Sequence, residues 1–136
     1  MIMKIKLDKW AHMPTRAHRW DAGLDLYALE DGIVDYSATF ATGVHVQIPA
    51  GFAGFIKSRS GLMSKHGITT DGTIDCGYTG PIKVTLINHG PASYMVKAGD
   101  KIAQLVIVPC GLPELELVDE LEETERGDGG FGSTGR

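Results

Sequence analysis

Short runs in which apolar and polar residues alternate one by one constrain this chain more than any other feature. The runs MKIKL, VHVQIP, PIKVTLIN and ELELV all have this period of two, and they occupy residues 3–7, 44–49, 81–88 and 114–118. KIAQLVIVP, residues 101–109, is almost wholly apolar, which is typical of a strand covered on both faces. Successive side chains of a strand point to opposite faces, so these runs predict β-strands.

Turn-forming residues separate the runs about every ten positions, as at Asp31-Gly32, Gly80-Pro81 and Gly99-Asp100. Many short strands with regular turn signals predict an all-β fold, an antiparallel sandwich or barrel. One stretch departs from this pattern. SRSGLMSKHG, residues 58–67, has Ser58 and Ser60 as candidate caps and Gly67 as a stop signal, so it predicts a single short helix.

Length and charge limit what the chain does. Its 136 residues fit one domain, and 13 Lys and Arg against 17 Asp and Glu give a net charge of −4, which does not favour a broad nucleic-acid surface. No apolar run approaches the roughly 20 residues of a membrane span, and MIMKIKLDKW is unlike a secretory signal. With two cysteines, Cys76 and Cys110, we expect reduced thiols and a cytoplasmic location.

Two stretches combine charge with a setting that suits chemistry. Asp25 lies between two leucines in AGLDLYA, residues 22–28, and either points to solvent or has a function. Arg59 carries a forked donor suited to phosphate. Ser60 and Gly61 follow at the expected helix start, where free N–H groups favour anions. The alternative is an ordinary capped helix with a surface arginine.

The segment DGTIDCGYTG, residues 71–80, begins and ends like a hairpin. Asp75 lies between Ile74 and Cys76, an apolar setting that would hold a carboxylate out of bulk water and suit it to act as a general base. The ring of Tyr78 offers a platform for a sugar or a base. In the alternative interpretation, Asp75 is a turn residue and Tyr78 an ordinary strand residue.

Two further features are polar groups in unusual places. Gln104 lies inside the apolar run 101–109, where it bonds either neighbouring backbone, the commoner case, or a ligand. The C-terminal RGDGGFGSTGR, residues 126–136, combines Arg126, Ser133, Thr134 and several glycines, which are the ingredients of a phosphate-binding nest. Histidine and cysteine spacings do not favour structural zinc, and no GxSxG elbow favours a serine hydrolase.

The order of these stretches is more specific than any one of them. AGLDLYA, SRSGLMSKHG, GTIDCGYTG, GDKIAQLV and RGDGGFGSTG resemble the five ordered motifs of the trimeric deoxyuridine triphosphatase (dUTPase) family. The resemblance extends from Ala22 to Gly135. It implies a jelly-roll-like distorted barrel that assembles as a homotrimer, with active sites between subunits. The implied reaction converts dUTP and water to dUMP and pyrophosphate, with Mg2+ as cofactor.

The resemblance also assigns roles to residues. Asp75 matches the aspartate that positions and activates the attacking water, and Tyr78 matches the tyrosine under the deoxyribose. Asp25 matches a carboxylate that holds water on the magnesium ion. The remaining matches are substrate contacts: the backbone at Gly72 and Thr73 for uracil, Phe131 over the uracil ring, and Arg59, Ser60, Gly61, Gln104, Arg126, Gly132, Ser133 and Thr134 at the phosphates. We therefore expect a β domain over residues 1–125 and a substrate-closing tail over 126–136.

Two departures from the family pattern are evident. Gly77 stands where relatives often have a second acid, and the connection from Ile68 to Ile74 looks shorter than in some of them. Two alternatives stay open at this point. A deoxycytidine triphosphate deaminase shares the fold, but it needs a pocket glutamate, and none lies between Asp31 and Leu112. A non-catalytic jelly-roll binding module would have no use for the glycine tail.

Overall fold

Strands account for nearly all the regular structure in residues 1–135, the part of the chain that this computed structural model describes. Eleven strands and one helix are formed: β1 Lys4–Leu7, β2 Gly23–Tyr27, β3 Gly32–Val34, β4 Ser37–Ala41, β5 Val44–Gln47, β6 Phe52–Lys57, α1 Ser60–His66, β7 Ile68–Thr69, β8 Asp71–Ile74, β9 Lys83–Asn88, β10 Tyr94–Val96 and β11 Lys101–Pro109. The prediction of an all-β fold with one short helix is confirmed.

The strands pair antiparallel throughout and form four small sheets. Their strand orders are β2-β11-β6-β8, β4-β9-β7, β1-β5 and β10-β3. Over the described residues these sheets do not close into a single barrel, which fits a jelly-roll-like arrangement better than an up-and-down barrel. None of the helical residues in 1–135 forms a segment long and apolar enough to cross a membrane.

Alternation places one face of each strand in the core. In β9 every second residue is buried, including Val84 and Leu86, which are 1% and 0% exposed. In β11 the buried residues include the neighbours Ile102 and Ala103. The register shift between Lys101 and Ala103 interrupts the alternation at this point. Beyond it Ala103 and Leu105 are buried, whereas Gln104 and Val106 line a pocket, so only one face of β11 is fully buried within this chain although its sequence predicts cover on both. Strand β11 lies between β2 and β6 and is therefore an interior strand of the largest sheet.

The ends of helix α1 differ in how well the sequence predicts them. Gly67 ends the helix with a φ of 65°, a left-handed conformation that glycine adopts without steric cost. The predicted serine caps are wrong. Arg59 holds the N-cap position without a side-chain hydrogen bond, and Ser60 is already helical. The Ser58 hydroxyl instead exchanges hydrogen bonds with the backbone of Thr70, so it ties β6 to the segment before β8.

Two predicted strand features are corrected by long-range contacts. The segment 71–80 is not a hairpin of its own, because β8 pairs with β6 and the chain turns away after Ile74. The alternating run ELELV forms no strand either. Leu115 and Leu117 are 95% and 99% exposed, because no neighbouring strand or apolar surface lies against them within the described chain.

Candidate active site

A pocket of about 780 Å3 brings together four of the eight residues that the motif resemblance assigns to the phosphates, and it also contains Asp25. Asp25 and Gln104 line it from the largest sheet, and Arg59, Ser60 and Gly61 line it from the start of α1. These residues come from three separate stretches of sequence. The structure therefore brings together the expected phosphate contacts of two motifs and the expected magnesium-site carboxylate of a third, and it leaves the candidates in 71–80 and in the tail elsewhere.

Strand register explains why these residues meet. Gln104 on β11 lies directly opposite Asp25 on β2 and opposite Lys57 on β6. Directly opposed residues of antiparallel strands project to the same face. The chain leaves β6 at Lys57 and enters α1 at Ser60. The helix start is thereby fixed beside the Asp25–Gln104 pair.

Asp25 does not point freely into solvent. Its side chain is 15% exposed, and its two oxygens lie 3.4 Å from Nε of Arg59 and 3.1 Å from Nζ of Lys101. One carboxylate thus holds two cations at the pocket. Lys101 was not among the candidates from sequence analysis, although it belongs to the GDKIAQLV stretch. The sequence did not predict its contact with Asp25, because that contact depends on a register shift between Lys101 and Ala103.

Gln104 bonds backbone, the commoner of the two alternatives for a buried amide. Its Nε2 donates a hydrogen bond of 3.0 Å to the carbonyl of Ser58, which fixes the residue immediately before Arg59. Gly23 on β2 makes room for this side chain, since a Cβ at that position would lie 2.0 Å from Oε1 of Gln104. The close approach of Gly23 thus explains a glycine in a strand.

The start of α1 offers unpaired backbone donors to the same pocket. The first N–H groups of a helix have no partner within it, and no capping side chain takes them here. Gly61 has no heavy atom within 4 Å of the position where a Cβ would be, so an anion has close access to the backbone. Arg59 also donates a long hydrogen bond of 3.4 Å from Nη1 to the carbonyl of Lys101.

The candidates in 71–80 line a different and smaller cleft. Thr73, Asp75 and Tyr78 surround about 300 Å3 together with Ile74, Pro81 and Lys83. Asp75 is exposed, whereas Ile74 and Cys76 on either side pack against the core. Within one chain, therefore, the apolar neighbours face away from Asp75 and do not shield it from water. Gly72 lies on β8 opposite Ile56.

Hydrogen bonds fix the position of Tyr78 after Asp75. The Tyr78 N–H donates to the Asp75 carbonyl over 3.0 Å, and its hydroxyl donates to the Pro81 carbonyl over 2.9 Å. A Cβ on Gly80 would lie 2.6 Å from that hydroxyl oxygen, so the chain turns closely around the ring. Tyr78 is 44% exposed and forms one wall of the cleft.

The C-terminal tail contacts neither cleft in the single chain. Arg126 donates from Nε to the carbonyl of Gly129 over 2.7 Å, and the Ser133 N–H donates to the Gly130 carbonyl over 3.0 Å. These turns within the tail leave Phe131 fully exposed. Gly132 and Thr134 are exposed as well. The final residue, Arg136, lies outside the described residues.

The described residues contain no cluster of three or more His, Cys, Asp or Glu side chains that would bind a metal directly. Asp25 is already paired with two cations, and Asp21 is the other carboxylate residue that lines the same pocket. This donor set fits a magnesium ion only if other oxygen ligands come with the substrate, as Mg2+ commonly requires. A dedicated all-protein cation cage does not fit these residues.

Comparison with known proteins identifies the class to which this fold and pocket belong. The dUTPase family model matches residues 9–135. The deoxyuridine 5'-triphosphate nucleotidohydrolases of Clostridium kluyveri and Gloeothece citriformis are 46% and 49% identical to it, each over 135 residues and 96% of this chain, and over 94% and 93% of their own lengths. The dUTPase of Staphylococcus bacteriophage 80alpha, solved with dUpNHpp, is 36% identical, has a TM-score of 0.90 and is matched over 99% of both chains.

The chain belongs to the dUTPase family. It is an enzyme of this class, a dUTP nucleotidohydrolase, and its all-β jelly-roll-like fold is that of the solved relatives. The resemblance found from the five motifs is thereby confirmed.

Proposed function

We propose that the enzyme converts dUTP and water to dUMP and pyrophosphate by attack of water on the α-phosphorus. This would remove dUTP from the pool open to DNA polymerases and supply dUMP for thymidylate synthesis. The observation that carries the proposal is the single pocket that unites Arg59, the start of α1 and Gln104 around Asp25. A related dUTPase has been solved with dUpNHpp, which supports a nucleoside triphosphate as the occupant.

The 780 Å3 pocket supplies the phosphate contacts in this proposal. The planar guanidinium of Arg59 gives paired donors to phosphate oxygens, and the N–H groups of Ser60 and Gly61 add fixed donors at the helix start. Gln104 contributes through its amide and by holding Ser58. Fixed donors aimed at the phosphates offset charge more strongly as it builds on the leaving pyrophosphate.

The smaller cleft supplies the water and the nucleoside contacts. Asp75 would orient the attacking water and accept its proton. Orientation of the water would account for much of its effect. Tyr78 would lie under the deoxyribose and leave no room for a 2'-hydroxyl. The backbone of Gly72 and Thr73 would read the uracil edge, because main-chain donors and acceptors have fixed positions.

Mg2+ is the proposed cofactor. When bound, it would neutralise charge on the triphosphate and so favour departure of pyrophosphate. Asp25 would hold it through water rather than by direct ligation. This role fits a carboxylate at the pocket wall that Arg59 and Lys101 keep in place.

We propose a homotrimer in which each active site draws on more than one chain. The two clefts share no lining residue within one chain, so a substrate that needs both Arg59 and Asp75 is better served by neighbouring chains. The segment 126–136 would then close as a lid. Phe131 would cover the uracil, and Arg126, Gly132, Ser133 and Thr134 would reach the phosphates. The free thiols of Cys76 and Cys110 support a reducing, cytoplasmic setting.

A panel of nucleotides with Mg2+ and pyrophosphate detection tests this function. We expect strong cleavage of dUTP and weak cleavage of dTTP, dCTP and UTP. Equal turnover of UTP would contradict the role of Tyr78, and ammonia released from dCTP would favour a deaminase. Asp75→Asn should release no pyrophosphate from dUTP while still binding the nucleotide.

A further inference from the structure

One histidine connects the β1-β5 sheet, which does not line the phosphate pocket, to the turn that carries Asp75. His45 projects from β5, where it lies directly opposite Lys6 of β1. Its Nδ1 lies 2.9 Å from the carbonyl oxygen of Thr79. Its Nε2 lies 3.0 Å and 3.1 Å from the two carboxylate oxygens of Asp8. The ring therefore bridges the end of β1 and residues 75–80, here called the Asp75 turn.

No other side chain outside the Asp75 turn hydrogen-bonds to it within residues 1–135. The remaining bonds are internal to it or to its end, from the Tyr78 N–H to Asp75 and from the Tyr78 hydroxyl to Pro81. Residues 77–79 are exposed. Cys76 packs against the core at the start of the turn, but the exposed part beyond it depends on its hydrogen bonds for a fixed conformation. His45 thus has more influence on this turn than its distance in sequence suggests.

The chemistry of the two partners favours the imidazolium form. A carbonyl and an ionised carboxylate only accept hydrogen bonds, and neutral imidazole has a single N–H to donate. Only the protonated ring donates to Thr79 and Asp8 at once. When the ring loses its proton, one nitrogen presents a lone pair to an oxygen, and that contact becomes repulsive.

The charges around the ring act in both directions. The ring lies beside a cavity of about 340 Å3 that Lys4, Lys6, Gln47 and Thr79 also line. The backbone hydrogen bond to Thr79 and then the bond to Asp8 raise the pKa of His45 above its ordinary 6.5, whereas burial and Lys6 act to lower it. The Asp75 turn contributes only the neutral Thr79 to this cavity.

We propose that protonated His45 is a positioning residue for dUTP hydrolysis, which holds the Asp75 turn to β1 and β5 and thereby orients Asp75. The inference rests on the proposed role of Asp75. It adds a titrating group that touches neither the substrate nor the reacting atoms. Loss of the His45 proton frees one side of the turn, and water held by Asp75 is then less well aligned for attack.

The experiment compares kcat for dUTP of the wild-type enzyme and His45→Gln across pH. A glutamine amide does not titrate, so the ratio of the two rates isolates the effect of His45 protonation. We expect kcat of His45→Gln to be lower by roughly three- to tenfold near about pH 6 and to approach the wild-type value near about pH 9. KM should change less than kcat. A ratio that is constant with pH would overturn the proposal, because a merely structural defect has no reason to follow this titration.

Two further variants sharpen the result. Asp8→Asn removes the carboxylate partner and should move the midpoint of the wild-type profile to lower pH. The matched control is His89→Gln, an exposed histidine whose Nε2 bonds Thr69 on β7, away from the Asp75 turn. It should keep the wild-type profile. A profile altered equally by His89→Gln would count against His45.

A measurement without turnover separates this proposal from the proposed function. NMR titration of the wild-type ring should give His45 a pKa above 6.5, and the amide signals of Thr79 and Gly80 should shift with the same midpoint. A pKa at or below 6.5, or turn signals that ignore this titration, would overturn the inference even if Asp75 acts as proposed. Full activity of Asp75→Asn would instead refute the site assignment and leave the bridge itself intact.

Discussion

The carboxylate of Asp25 and the guanidinium of Arg59 are 3.4 Å apart at Oδ1 and Nε, at the wall of one pocket. The group proposed to hold water on Mg2+ and the group proposed to bind phosphate therefore orient each other. Lys101, at 3.1 Å on the other oxygen, completes the cluster. Removing the shared carboxylate charge would leave two partly exposed cations without their common partner.

Asp25→Asn should therefore lower dUTP turnover by roughly 10- to 100-fold, the usual range when a group that orients a metal site is lost. The activity that remains should need more Mg2+. Measuring kcat against Mg2+ concentration checks both effects. Asp119→Asn is the matched control, since this exposed aspartate lies outside both clefts. A wild-type magnesium dependence in Asp25→Asn would contradict the role of Asp25.

Gly23→Ala tests the packing of Gln104 against β2. The new methyl would occupy the position of Oε1 of Gln104, so the amide must swing away from the Ser58 carbonyl. Because the displaced atom is the end of a flexible side chain, we expect the free energy of unfolding to fall by about 1–3 kcal/mol. We expect a proportionally larger fall in kcat, because the segment before Arg59 loses the hydrogen bond from Gln104 to the Ser58 carbonyl.

Thermal unfolding and dUTP kinetics, measured together on Gly23→Ala, distinguish these effects. Gly111→Ala is the control, because its Cβ would meet no atom within 4 Å. Wild-type kinetics in Gly23→Ala would mean that the amide of Gln104 is not needed at the phosphates.

Local pattern predicted the strands, since alternation along MKIKL or PIKVTLIN reflects which face each side chain takes. The same pattern did not predict which residues face each other across neighbouring strands. That Gln104 lies opposite Asp25 depends on β2 and β11 being neighbours, which no local pattern encodes. Lys101 escaped notice for the same reason: its contact with Asp25 follows from a register shift inside β11.

The predictions that were wrong have two causes: either the segment has no packing partner in the single chain, or a contact distant in sequence overrides a local preference. Serine commonly caps helices, but the Ser58 hydroxyl hydrogen-bonds to the backbone of Thr70 and so joins the end of β6 to the start of β8. ELELV alternates like a strand, yet Leu115 and Leu117 have nothing to pack against in one chain. The motif resemblance supplied the site residues that physical pattern alone left undecided, such as Asp75.

The hydrogen bonds of His45 should also make stability depend on pH. The Thr79 carbonyl and then Asp8 raise the pKa of folded His45 above 6.5, so the folded state binds this proton more tightly than the unfolded chain. This stabilisation is fully present below the unfolded pKa of about 6.5 and is lost as pH rises through the folded pKa.

We therefore expect the unfolding free energy of the wild type to exceed that of His45→Gln at low pH and the difference to shrink between about pH 6 and about pH 9. Urea unfolding at one protein concentration measures it, because assembly would make stability depend on concentration. A difference that grows with pH would mean that His45 is bound as the neutral ring.

The tail should be dispensable for folding and required for turnover. Within residues 126–135 the hydrogen bonds are internal or reach back only to Thr124, and Phe131 packs on nothing. Truncation after Glu125 should therefore leave unfolding unchanged and lower kcat by roughly 100-fold, as expected when a closing segment no longer excludes water. Phe131→Ala should give a smaller loss, mainly in KM. Undiminished kcat in the truncated enzyme would refute the lid.

Leu115 and Leu117 provide the test of assembly. Both are almost fully exposed in the single chain, and burying two such side chains against a neighbour would contribute about 1.5–3 kcal/mol each. The double variant Leu115→Ser/Leu117→Ser should keep the β fold by circular dichroism but shift sedimentation from the proposed trimer towards monomer, with activity falling in parallel. Glu114→Gln/Glu116→Gln alters the same segment without removing apolar surface and should remain trimeric. If the leucine variant stays an active trimer, this segment does not contribute to the subunit interface.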